Sequence, residues 1–207
     1  MSAGPLRFEL DDGVDGGAQL SVVVPALGAA IASVRPSDMD RPTPCRAWTL
    51  RDLLNHVIGG AQMFTEAFLG GPVLDISGKL PDVVGDDPSG AFGAAATRFG
   101  EALEQPGTLE RVLDLPFGAM TVGTFLRFVA FDLTVHAWDI ASVTGATVEI
   151  PDDLVGEIEQ FARLVLESVP RNDALCGEPV AAPSGATPLQ RLVAYSGRQP
   201  LAVAAPA

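Results

Sequence analysis

Apolar residues recur at helical spacing from Gln19 to Val34, broken only by Pro25, and the run stops at Pro36. This predicts a first helix, kinked or restarted at the internal proline. Residues 40–48 form a proline-rich connector. Thr49, with Asp52 three residues on, makes an acidic variant of the capping box and opens a second helix to about Leu69, where Gly70-Gly71-Pro72 ends it. Residues 72–90 read as a long loop rich in Gly, Pro and Asp. A weakly amphipathic third helix follows over about 90–104 and closes at Pro106-Gly107. Residues 112–120, with Pro116 and Gly118, read as a short extended hairpin. A fourth helix spans about 121–144 and ends at Gly145. A fifth opens at Pro151 with Asp152 and Asp153 in its first turn and runs to about Ser168. The rest is irregular apart from a short helical piece near 189–195. The fold expected is a mainly α bundle with an additional helix, a short hairpin and an irregular C-terminal tail. No internal repeat and no second-domain linker interrupts it. The boundaries expected are a mobile acidic leader over 1–17, one helical domain over 18–200 and a tail over 201–207.

Composition narrows the function classes. With 47% hydrophobic and 19% charged residues, a 207-residue chain is compact and not disordered. The net charge of −13 disfavours nucleic-acid backbones and anionic membrane surfaces as partners. Arg7 is outnumbered before Gly16 by Glu9, Asp11, Asp12 and Asp15, the wrong pattern for a secretory signal. The uncharged run Gly16–Val34 contains Pro25 and reads as a buried helix, not a membrane span. Cys45 and Cys176 are too far apart to suggest a metal-type pair or a disulfide framework. A cytoplasmic protein with reduced thiols, monomeric or homodimeric, is the expectation. Lys79 is the one lysine beside twelve arginines, a pattern we read as GC-rich bacterial coding bias.

The chemistry lies in the polar residues of the apolar helices. The chain has two histidines. His136 follows Asp132 by four residues, so the two share one helix face with Cβ atoms roughly 6 Å apart. Asp139 continues the stripe at i+7. A buried carboxylate without compensation is costly, and a divalent cation would supply it. His56, in the second helix, is the candidate third ligand. Asp52 stands four residues before it, but its duty as cap partner sets it apart. Gly59 and Gly60, one turn beyond His56, leave room for a ligand or for close helix packing. Either histidine alone is more ordinarily a hydrogen-bonded core residue; two such positions together raise the metal reading to a real competitor. Asp139 is too far along the helix to share an ion with Asp132, because two turns separate them by roughly 10.5 Å. Its expected role is to orient His136 or to meet an arginine. Cys45 near a helix start could favour a thiolate, though a small buried residue is the plainer reading. Trp48 and Trp138 read as core or pocket-wall aromatics. Arg46, Arg51 and Arg127 could meet an anion, with surface or ion-pair roles as the default.

Three stretches carry a family resemblance. Pro42-Thr43-Pro44-Cys45-Arg46-Ala47-Trp48-Thr49-Leu50-Arg51-Asp52-Leu53-Leu54-Asn55-His56 resembles the opening motif of actinobacterial DinB-like metal-binding proteins, relatives of the mycothiol-dependent maleylpyruvate isomerase. Asp132-Leu133-Thr134-Val135-His136-Ala137-Trp138-Asp139-Ile140-Ala141, followed by Thr144-Gly145, resembles their second motif. Thr187-Pro188-Leu189-Gln190-Arg191-Leu192 with Ser196-Gly197-Arg198-Gln199-Pro200 is similar to their close. The resemblance spans about residues 18–200. It implies a DinB-like four-helix bundle, with His56, Asp132 and His136 as metal ligands; three such donors with positions left open make zinc the leading ion, ahead of Ni2+, Fe2+ or Mn2+. It further implies mycothiol as a possible cosubstrate, with a small-molecule thiol and an electrophile as partners. Asp132 departs from the isomerase, which carries a glutamate there. The isomerase also has a further α/β domain where this chain has a short tail. A metal-dependent thiol transferase or isomerase therefore competes with a non-catalytic metal or small-ligand binding module, and with a metal-free bundle holding a buried Asp–His network. The residues point to no general base beyond the ligands and their neighbours.

Overall fold

The computed structural model describes residues 6–74, 78–169, 171 and 176–200. The expected tail over 201–207 lies outside them. The elements in order are α1 (Gly16–Ala32), α2 (Leu50–Phe68), α3 (Pro88–Leu103), β1 (Val112–Leu115), β2 (Gly118–Thr121), α4 (Val122–Thr144), α5 (Asp152–Leu166) and α6 (Pro188–Tyr195). Helix α1 packs on α4 and α3, and α2 packs on α3 and α4, which closes a four-helix bundle. Helix α5 lies against α4, and α6 against both. Among the described residues no helix is long and apolar enough to cross a membrane.

Local chemistry sets the helix ends. The Thr49 hydroxyl accepts from Asp52 N at 3.3 Å and the Asp52 carboxylate accepts from Thr49 N at 3.0 Å, the reciprocal box read from the sequence. Thr121 caps α4 by accepting from Thr124 N at 3.2 Å. Gly145 ends that helix at φ 81°, a left-handed position that favours glycine. The hairpin pairs Val112 with Thr121 and Leu115 with Gly118 in antiparallel register. Its Leu113, Leu115, Ala119 and Met120 face the core.

Helix α1 departs from the expectation twice. It is unbroken across Pro25. Pro25 and Ser21, whose carbonyl the proline leaves without a helical donor, are both exposed, so the lost bond costs little. It also begins at Gly16, because Asp15 Oδ1 accepts from Gly17 N at 2.8 Å and makes the N-cap.

Of the segment expected as a mobile leader, residues 1–5 lie outside the described residues, and residues 6–17 make specific contacts. Arg7 N donates to Ala119 O at 2.7 Å. The Glu9 carboxylate accepts from Thr121 N at 2.8 Å and from the Thr124 hydroxyl at 2.6 Å. Asp12 receives a forked bond from the buried Arg127, at 3.1 and 2.9 Å. Arg127 also stacks over the Phe161 ring at 4.5 Å. A guanidinium buried on α4 requires a counter-charge, and the acidic segment supplies it.

The core has two halves. One gathers Phe64, Phe68, Phe125, Phe131 and Met120 with residues of α5. The other gathers Leu27, Ile31, Leu50, Leu54, Ile58 and Ile140 around Trp48. Val24 and Leu133 touch both.

Candidate metal centre

Helix α2 carries His56 into the bundle, where 3% of its surface remains exposed. Helix α4 presents Asp132 and His136 on adjacent turns of the facing side. His56 Nε2 lies 3.6 Å from Asp132 Oδ2, and His136 Nε2 lies 3.3 Å from Asp132 Oδ1. One donor atom from each residue can be chosen so that all three lie within 4.8 Å of one another. Bonds of about 2.0–2.1 Å to a tetrahedral ion place neighbouring donors roughly 3.3 Å apart. The three side chains could therefore hold one divalent ion with small adjustments, leaving its remaining positions open.

The connector ahead of α2 roofs this group. Pro42 and Thr49 form an isolated bridge, and the Thr43 hydroxyl lies 3.0 Å from the carbonyl oxygens of both Cys45 and Trp48. The resulting tight loop lays the Trp48 ring on His56, with centroids 4.5 Å apart, and 6.0 Å from His136. The two imidazoles meet edge to face at 5.1 Å. Their planes are thus fixed by packing before any ion is considered.

Behind His136, its Nδ1 donates to Asp139 Oδ2 at 3.1 Å, and Arg198 Nε donates to the same oxygen at 3.3 Å. Both side chains are buried, Asp139 completely. With Nδ1 committed to a carboxylate, the neutral tautomer turns the Nε2 lone pair toward Asp132 and His56, which is the form a metal requires. The donor set fits a divalent cation on this ground as well as on spacing.

Electrostatics reinforce the picture for the metal-free group. Burial would lower the basicity of His136, but the Asp132 carboxylate beside it, with hydrogen bonds to Asp132 and Asp139, raises its pKa to about 9. Burial pushes Asp132 upward, yet the two imidazoles hold its carboxyl well below the usual carboxylate range. Without a metal, protonated His136 pairs with the Asp132 carboxylate, and a proton occupies the role an ion would take.

The group is reached from an apolar cavity of about 660 Å3, lined by all four bundle helices and the hairpin. His56 and Asp132 stand in its wall, and Asp132 keeps 29% side-chain exposure. The two glycines of α2 serve different ends. Gly59 lies under Leu80, where an added Cβ would come within 2.9 Å of Leu80 Cδ1. Gly60 lines the cavity beside His56.

The other candidates resolve into structural roles. Cys45 is buried, and burial pushes its thiol up to about 12, which agrees with its plainer reading as a small buried residue and not with a thiolate. Arg51 pairs with Asp82 at 3.2 Å and Arg127 with Asp12; Arg46 is exposed. Asp52 is held by its cap and by Lys79 at 2.9 Å, away from His56. Trp48 is a wall of the site, and Trp138 is half-buried on α4. Two residues escaped the sequence reading. Asn55 Oδ1 accepts from Val83 N and Val84 N at 2.7 and 3.1 Å, pinning the long loop onto α2. Arg198 carried no assigned role, although it sits inside the closing motif.

A family profile described as the mycothiol maleylpyruvate isomerase N-terminal domain matches residues 23–141, more than half of the chain. His56, Asp132, His136 and Asp139 all fall inside that span, and Arg198 falls outside it. The chain is also 30% identical over 177 residues to uncharacterized proteins of Mycobacterium tuberculosis strains CDC 1551 / Oshkosh and ATCC 25618 / H37Rv. Each alignment covers 84% of this chain and 92% of the relative. No solved structure matches.

Proposed function

For a chain that belongs to the mycothiol maleylpyruvate isomerase N-terminal domain family, we propose a divalent-metal-dependent thiol transferase or isomerase, with mycothiol as cosubstrate. His56, Asp132 and His136 are its metal ligands, and zinc is the leading ion. The observation that carries this reading is the convergence of three donors on one point at the wall of a cavity. Three protein ligands with an open position are the usual arrangement of catalytic zinc, which lowers the pKa of a bound thiol or water.

The chain's own residues supply the rest. Asp139 fixes the His136 tautomer, and Arg198 holds Asp139 in place. Trp48 restrains both imidazoles. The apolar cavity walls give His56 and Asp132 a less polar approach than bulk solvent, which strengthens electrostatic interactions there. The test is turnover of a panel of electrophiles with mycothiol, before and after chelation, alongside elemental analysis. Stoichiometric metal with chelator-sensitive turnover is the expected result; turnover indifferent to chelator sinks the mechanism.

One observation favours a second reading. Among the described residues, His56 and Asp132 are the only titratable groups lining the cavity, so no separate general base faces it. A non-catalytic module that binds a metal or a small ligand would look the same. Large thermal stabilisation by metal without detectable chemistry would select that reading.

A further inference from the structure

We infer that the cavity in front of His56 and Asp132 takes a neutral, apolar organic molecule with an alkyl or aryl body, and not a dicarboxylate. This deepens the proposed function and rests on it for the role of that molecule as substrate, while the binding itself stands on the cavity alone.

Size comes first. A volume of about 660 Å3 lies well inside the range of small-molecule sites, roughly 300–1,000 Å3. The space is concave and bounded by α1, α2, α3, α4 and the hairpin, so it suits a small molecule rather than a flat partner surface. Its walls are mostly carbon, with Phe64, Phe92, Phe99, Phe117, Phe125 and Phe128 supplying aromatic faces and edges. Phe125 stacks on Phe128, and Phe128 on Phe117, at centroid separations of 6.0 and 5.4 Å, a continuous aromatic side to the cavity.

Charge decides the class. All thirteen lysine and arginine residues of the chain lie among the described residues, and none of them lines the cavity. Several are committed elsewhere: Arg127 to Asp12, Arg198 to Asp139, Arg51 to Asp82 and Lys79 to Asp52. The one acidic group in the wall, Asp132, is itself an anion. A dianion entering this space would bring at least one carboxylate to a surface with no side-chain cation to meet it, and desolvating such a group is prohibitive. A neutral body loses nothing polar on entry and gains the burial of its apolar surface. One end of such a molecule reaches His56 and Asp132, where the reacting group would stand.

The experiment is titration of the full chain with N-phenyl-1-naphthylamine, a neutral fluorescent probe, as purified and again after EDTA treatment. The expected result is saturable binding at one site per chain in both states. Ala61→Trp on α2 and Ser21→Trp on α1 place an indole at two separate points of the cavity wall. Ser21 is exposed and Ala61 half-buried, so the fold should accommodate both. Each variant that keeps the wild-type circular dichroism spectrum should bind the probe at least tenfold more weakly. A neutral aryl alcohol should displace the probe, and maleate at the same concentration should not. Absence of saturable binding, unchanged affinity in the folded variants, or displacement by maleate as effective as by the alcohol would overturn the inference. Probe binding needs neither metal nor thiol. A chain that binds the probe and shows no chelator-sensitive turnover therefore counts against the proposed function and leaves this inference standing.

Discussion

Asp139 Oδ2 lies 3.1 Å from His136 Nδ1, inside the bundle, with the Asp139 side chain completely buried. The same oxygen receives Arg198 Nε, whereas Asp139 Oδ1 has no hydrogen-bond partner among the described residues. One carboxylate oxygen thus links a histidine of the candidate metal centre to an arginine 59 positions later in the chain.

Asp139→Asn should retain one metal per chain, because the three donors stay in place. It should weaken metal affinity by roughly 10–100-fold, the usual cost of disturbing a partner behind a ligating histidine. Metal analysis and competition titration check this. Complete loss of metal would mean that Asp139 itself is a ligand.

His136→Ala and His56→Ala should each lose stoichiometric metal. In His136→Ala the metal-free protein should also be less stable, by roughly 3 kcal/mol, the low end for breaking a buried ion pair. The low end applies because Asp132 keeps 29% exposure and is partly solvated. Denaturant melts of the EDTA-treated proteins measure the difference. Full metal retention in both variants would show that the assignment is wrong.

Much of this geometry was legible because it is local. Asp132 and His136 are one turn apart, so helical periodicity alone put them on one face. The Thr49–Asp52 box and the Gly145 terminus are likewise short-range patterns. His56 joined the group only through the scarcity of histidines and the family resemblance, since spacing cannot say which helices face each other. What stayed hidden is long-range. Glu9 meets Thr121 and Thr124, and Asp12 meets Arg127, across separations of more than a hundred residues. An acidic stretch with no periodicity therefore read as a leader. The phenylalanine-lined cavity stayed hidden too, because the sequence does not distinguish a residue packed on another side chain from one facing an open cavity. Arg198 stands beyond the last short helical piece, and nothing local marks it as the partner of Asp139.

Gly16→Ala should destabilise the bundle out of proportion to its size. A Cβ at residue 16 would stand 2.7 Å from Arg127 N and 2.8 Å from Leu126 Cβ, so α1 and α4 touch there backbone to backbone. Neither neighbour is the flexible end of a side chain, so relief requires moving a helix. A loss of about 1–3 kcal/mol, typical of overpacking, is expected in thermal or urea melts. Gly93→Ala on α3, where an added Cβ meets nothing within 4 Å, is the control and should be neutral or slightly stabilising. Equal melting of the two variants would contradict the close approach of α1 to α4.

A proton and a metal ion make opposite demands on His136. In the metal-free chain its pKa is raised from 6.5 to about 9 by Asp132 and Asp139 against the effect of burial. A group more basic in the folded state stabilises the fold fully below its unfolded value and loses that contribution as pH rises through the folded one. The EDTA-treated protein should therefore lose stability between about pH 6.5 and pH 9, by at most roughly 1.4 kcal/mol per pH unit. Metal binding runs the other way. The ion requires neutral imidazole, so over the same window it must displace a proton, and its apparent affinity should rise with pH by up to about tenfold per unit. Asp132, held below the usual carboxylate range, adds a stabilising contribution that disappears only in acid. Urea melts of the stripped protein and zinc competition titrations at matched pH values should thus slope in opposite directions. Parallel slopes, or a stripped protein whose stability is flat across the window, would mean that His136 does not carry the proton the ion replaces.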